Sequence, residues 1–173
     1  SPKYYESSKI QVNACLVKEW CRSPHQGKMN LDEWLKEEKI PGLEGIDTRQ
    51  LTIITREAGT LRAVICTDGK ITPKQGVQRA KQMEWPSDSN LVSMVSTKRK
   101  YKRGTKGPRI TLFDWGVKQS IVKNLARICQ VTVVPWNYDI EKVKATEPEL
   151  VFMSNGPGDP DHEDMKPVVD TVK

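Results

Sequence analysis

The sequence predicts an α/β protein in two parts. A mixed α/β domain is expected over residues 1–97, and the start of a parallel-sheet domain over 109–173. Three observations predict this. From residue 109 onward, strand-length apolar runs alternate strictly with helical stretches, the pattern of strand–helix–strand crossovers and a parallel sheet. Before residue 98, short strands and capped helices are mixed without that alternation. Between them, residues 98–108 are rich in Lys, Arg, Gly and Pro, the composition of a solvated basic linker.

In the first part, "KIQVNACLV" (9–17) alternates apolar and polar residues from Ile10, as a half-buried strand does. "NLDEWLKEEK" (30–39) opens with Asn30 as N-cap and Glu33 three residues later, the spacing of a capping box. "GIDTRQLTIITREAGT" (45–60) repeats that grammar: Asp47 caps, Gln50 answers, Leu51, Ile54 and Ala58 share a face, and Gly59 ends the helix. Arg49 and Arg56 stand two turns apart and so emerge on one side. "TLRAVICTDG" (60–69) reads as a strand closed by an Asp-Gly turn. "TPKQGVQRAKQM" (72–83) has Thr72 as cap and Pro73 at the first helical position. "NLVSMVST" (90–97) reads as a strand.

In the second part, "RITLF" (109–113), "QVTVVPW" (130–136) and "ELVFM" (149–153) read as three strands with both faces covered. "GVKQSIVKNLARI" (116–128) places Val117, Ile121, Leu125 and Ile128 at helical spacing, and "DIEKVKAT" (139–146) is a weaker helix. Ligands of such sheets sit beyond the carboxyl ends of the strands. Two loops belong there, "DWG" (114–116) and "SNGPGDP" (154–160).

Composition excludes several classes. The chain is 36% hydrophobic and 29% charged, as a soluble globular protein is. No apolar stretch approaches the ~18 residues of a membrane helix. "SPKYYESSK" has no apolar signal core and no initiator Met, so a processed or cut start is expected. Cys15, Cys21, Cys66 and Cys129 read as reduced cytosolic thiols rather than a disulfide framework. Cys21 and His25 have a C-x3-H spacing but no second pair, and two histidines in all do not make a zinc site. No metal is expected.

The net charge of +6 is local. Residues 98–109, "KRKYKRGTKGPR", carry seven basic residues and no acid, and without them the charge is −1. Tyr101 is the only aromatic there and no reading motif accompanies it, so a linker is preferred to a nucleic-acid arm.

Gly156-Pro157-Gly158 is a stiff turn at a strand tip. Glycine lets backbone approach a ligand closely, and proline fixes the intervening angle. On these grounds it is either a plain tight turn or a site that aims backbone N–H groups at negative charge. It matches neither a P-loop nor G-x-G-x-x-G.

"FMSNGPGDP" resembles the glutamine-binding loop of the small, glutaminase subunit of carbamoyl-phosphate synthetase. "GIDTRQLTIITREAGT" resembles the signature of that subunit's N-terminal domain, and "ITLFDWGVKQSIVKNL" the first strand and helix of its glutaminase domain. "NLDEWL" and "VVPWN" fit in the same order, so the resemblance covers essentially the whole chain. Other class I glutaminases have a similar Gly-Pro-Gly turn but lack the Asp-Thr-Arg domain in front.

The resemblance implies a flavodoxin-like class I glutaminase domain in which a Cys-His-Glu triad hydrolyses glutamine. The ammonia would pass to a large synthetase subunit that makes carbamoyl phosphate from bicarbonate and ATP. The implied partners are that subunit and glutamine, with no nucleic acid, no membrane, and a cytoplasmic location. ATP and Mg would belong to the partner, and this chain would hold no cofactor. The resemblance assigns Gly156 to the oxyanion hole and Gly158 to the glutamine backbone. It places the nucleophile, in a "G-x-C-x-G-x-Q" elbow, and its His and Glu beyond Lys173, so the chain is expected to be an inactive fragment. None of the four cysteines lies in an elbow context: Cys129 reads as core, and His162 as a surface residue at a helix start. A glutaminase-like interaction domain without its nucleophile is the rival reading. Arginine versus pyrimidine supply, and a separate versus a fused synthetase, stay open.

Overall fold

The computed structural model describes residues 5–23 and 29–166. The chain divides into two compact units, Ser1–Pro86 and Ser87–Lys173. The division falls ahead of the expected linker, and the physical reason lies in the second unit.

In the first unit, strand β1 (Cys15–Leu16) precedes helix α1 (Leu31–Glu37) and pairs in parallel with β2 (Gly42–Leu43). The Asn30 side chain accepts from the Glu33 N–H, and the Glu33 carboxylate accepts from the Asn30 N–H, both at 2.9 Å. This is the expected capping box, and it sets Leu35 facing inward, where it is buried. Helix α2 (Thr48–Ala58) starts where Asp47 accepts the Gln50 N–H. Helix α3 (Pro73–Gln82) starts from a Thr72–Gln75 capping box with Pro73 in its first turn. No residue of α2 or α3 is buried, and the expected apolar face of Leu51, Ile54 and Ala58 is exposed.

Two strand expectations fail here. Only Cys15–Leu16 of residues 9–17 is strand, and 60–69 has none, although the Asp68 carboxylate accepts the Lys70 N–H in the expected turn. A strand exists through its neighbour, and among the described residues no segment pairs with 60–66.

In the second unit, residues 90–97 are not a strand but carry helix α4 (Leu91–Val95). The Asn90 side chain accepts the Ser93 N–H at 3.0 Å, so the cap overrides the alternating pattern. Strand β3 (Tyr101–Arg103) lies inside the expected linker. It pairs antiparallel with β5 (Gln130–Pro135), Tyr101 opposite Val133 and Arg103 opposite Val131. The glycines that read as flexible punctuation instead permit close packing. A Cβ at Gly104 would lie 2.1 Å from the Cys129 carbonyl oxygen, and one at Gly107 1.9 Å from that of Ile128. Lys102 and Arg103 then lie on an edge strand, where charge discourages pairing with another chain.

The rest follows the sequence reading. Strand β4 (Arg109–Asp114), helix α5 (Gln119–Leu125), β5, helix α6 (Ile140–Lys144) and strand β6 (Leu150–Met153) alternate. The sheet order is β3-β5-β4-β6, with β4 parallel to both β5 and β6. Ile110 and Leu112 pack with Val122 of α5 on one face, while Phe113 and Val134 pack with Val143 of α6 on another. Both faces are covered, so the interiors of the central strands are mainly apolar, with Thr111 and Thr132 the exceptions. Among the described residues, no helix is long and apolar enough to cross a membrane.

Candidate functional site

Strands β4 and β6 end side by side, with Phe113 in register with Met153. Their carboxyl ends deliver the 114–116 and 154–160 loops to one place. The Ser154 N–H donates to the Phe113 carbonyl at 3.3 Å, and the buried Ser154 Oγ accepts from the Trp115 N–H at 3.0 Å. The two loops are thus tied backbone to side chain immediately past the sheet.

Gly156 sits against Trp115 so closely that a Cβ would fall 1.9 Å from the Trp115 carbonyl oxygen. Gly158 has φ +90°, a conformation L side chains rarely adopt. Pro157 packs between them and touches Gly116, whose added Cβ would lie 3.2 Å from Pro157 Cδ. Among the described residues, no hydrogen bond takes up the N–H of Gly156 or Gly158. The loop is exposed from Asn155 to Pro160. It therefore presents backbone donors to solvent at the place where a parallel sheet binds ligands.

The floor of the site is polar and buried. Asp114 Oδ1 accepts from the N–H groups of Gly116 (3.0 Å) and Val117 (2.9 Å), and Oδ2 from that of Thr97 (2.8 Å). Ser96 Oγ accepts from the Trp136 N–H at 2.9 Å, beyond the end of β5. Of the four buried polar residues described, Ser96, Asp114 and Ser154 all gather here.

A family model described as the carbamoyl-phosphate synthase small chain, CPSase domain, matches residues 1–65. A second, glutamine amidotransferase class-I, matches residues 111–173. The carbamoyl phosphate synthase small chain of Bacillus caldolyticus is 43% identical over 159 residues, covering 90% of this chain and 43% of that protein. The chain belongs to the carbamoyl-phosphate synthase small-chain family. The small chain of Clostridium perfringens is 38% identical over 172 residues, 97% of this chain and 47% of its own length. The pyrimidine-specific small chain of Bacillus subtilis is also 38% identical over 172 residues, 98% of this chain and 46% of that protein. The chain thus spans a little under half the length of the curated relatives it matches. The amidotransferase match begins at Thr111 in β4 and takes in the whole polar floor except Ser96 and Thr97.

The cysteines are scattered. Cys129 is buried just before β5, at the end of the sheet opposite the loops. Cys15 lies in β1, and Cys21 and Cys66 are exposed. His162 starts a short 3-10 turn (Glu163–Met165) and its Nδ1 accepts the Asp164 N–H at 3.2 Å, so it serves as a cap. His25 lies outside the described residues. Sequence reasoning found the glycines but missed Asp114, Ser154 and Ser96. The available signal was a polar residue closing an apolar strand run, at Asp114 after "RITLF" and Ser154 after "ELVFM".

Proposed function

We propose that this chain is the front part of a glutamine-hydrolysing subunit, with Gly156 supplying an oxyanion-hole N–H and Gly158 holding the glutamine backbone. In the full-length protein a cysteine thiolate attacks the glutamine side-chain amide. The carbonyl oxygen becomes an oxyanion, ammonia leaves, and water releases glutamate from the thioester. The ammonia passes to a synthetase subunit that combines it with bicarbonate and ATP, in the cytoplasm. One coincidence carries the reading: the segment matched by the amidotransferase family contains unclaimed backbone N–H groups at the tip of a parallel strand. The exposed Arg49 and Arg56 on α2 are assigned to the synthetase partner rather than to glutamine.

The test uses the full-length protein in its complex, comparing glutamine-driven with ammonia-driven carbamoyl phosphate formation. Any side chain at Gly156 strikes Trp115, so Gly156→Ala and Gly156→Pro are measured together. Both add a Cβ and only proline removes the N–H. The proline variant should lose a further hundredfold or so in glutamine turnover while ammonia-driven synthesis survives. Equal loss of the ammonia reaction would mean the loop is structural. Arg49→Ala should weaken association with the synthetase and leave the glutamine KM near normal. The 173-residue chain alone should form no glutamate above a buffer blank, because a donor without a thiolate and base attacks nothing.

A further inference from the structure

We propose that Asp114 is a positioning residue for the Gly156 donor, acting through the Trp115–Gly116 peptide. The inference rests on the proposed glutaminase reading and adds the element that aims its donor. A single peptide plane carries the argument. Its N–H, on Gly116, is held by Asp114 Oδ1 at 3.0 Å. Its carbonyl oxygen, on Trp115, is the atom against which Gly156 rests. Rotating that plane would move the carbonyl and with it the surface that seats Gly156. The preceding peptide is held as well, because the Trp115 N–H donates to Ser154 Oγ.

The second carboxylate oxygen fixes the other wall. Thr97 donates to Oδ2 at 2.8 Å, just past α4, and Val95 of α4 packs on Gly116, where a Cβ would lie 3.0 Å from Val95 Cγ2. Leu91 of the same helix faces Gly158, 3.6 Å from where a Cβ would be. One buried carboxylate therefore joins the 114–117 loop to the segment that backs the Gly-Pro-Gly turn. Only a carboxylate does this. It accepts on both oxygens, whereas an amide of the same shape accepts on one and turns an NH₂ toward the N–H groups on its other side.

The experiment measures Asp114→Asn and Ser154→Ala in the full-length protein within its complex. For Asp114→Asn, glutamine-driven kcat should fall about ten- to a hundredfold, as a misaimed group does. The glutamine KM and the ammonia-driven rate should stay near wild type. A merely structural role would lower both rates together, and that result, or an unchanged kcat, overturns the proposal. If Asp114→Asn does not assemble, Ser154→Ala carries the test, since it removes one acceptor from the neighbouring peptide. A smaller kcat loss with the same unchanged KM supports positioning, and unchanged kcat overturns it. The Gly156→Ala and Gly156→Pro pair is measured alongside. If proline costs no more than alanine, the glutaminase reading itself fails. If proline costs its further loss while Asp114→Asn leaves kcat unchanged, only the positioning role fails.

Discussion

The helices of the first unit and the sheet of the second are held by different things. Helices α2 and α3 have well-formed caps, yet neither buries a residue. Strands β4 and β5 have no such local devices, yet Leu112, Phe113, Val131, Val133 and Val134 are almost wholly excluded from water. Caps contribute about 1 kcal/mol each, whereas a fully buried aliphatic side chain contributes roughly 1.5–3 kcal/mol. Local signals therefore decide where a helix begins, and burial decides how firmly it is kept.

Proteolysis should expose the contrast most. Opening free energies run from about zero in weakly packed segments up to the global value in core strands. Trypsin acting on the 173-residue chain should cut first within 56–81, at Arg56, Arg62, Lys70, Lys74, Arg79 or Lys81, leaving a product that begins between residues 57 and 82 and keeps the second unit whole. A first cut within 98–106 would instead restore the linker expected from composition, and would mean that β3 pairs only weakly with β5.

Mutation should show the same asymmetry. Leu112→Ala empties a fully enclosed position and should cost about 3 kcal/mol in urea unfolding. Leu51→Ala, on a side chain 36% exposed, should cost less than about 1 kcal/mol. Equal costs would mean that α2 is buried in solution.

A smaller effect tests why residues 98–108 are not a linker. Gly107→Ala should cost about 2 kcal/mol, from its strained backbone and the clash with the Ile128 carbonyl. Gly45→Ala, with φ +83° and open space, should cost only about 1 kcal/mol. The same pair shows what was legible in the sequence. The strands of 109–153 could be read because continuous apolar runs between turn residues carry their own evidence. The helices of the first unit could be read from caps. The close packing of Gly104 and Gly107 could not, because it depends on Ile128 and Cys129 more than twenty residues on. Asp114 and Ser154 escaped for a related reason. Asp114 has near partners in Gly116 and Val117, but the contacts that tie the site together, Asp114 to Thr97 and Ser154 to Trp115, span 17 and 39 residues. Gly156 was legible because its turn is local, whereas what aims it is not.

The smallest expected effect is alkaline and sits where β3 joins the sheet. Burial raises the Tyr101 phenol above its ordinary value, the Asp114 carboxylate adds to the rise, and Arg103 partly opposes it. The folded state thus keeps its phenolic proton to higher pH than the unfolded chain. Its contribution to stability is complete below the unfolded value of about 10 and is lost as pH rises through the higher folded value. Tyr101→Phe retains the ring that Arg103 overlies at 5.0 Å and removes only the titrating hydroxyl. Urea midpoints of the two proteins should run parallel from about pH 8 to 9.5. Above that the wild type should fall faster, because only it must ionise a partly desolvated phenol to remain folded. Identical slopes would mean that Tyr101 reaches water freely and that β3 is not docked on β5. In that event the basic segment would behave as the linker its composition describes.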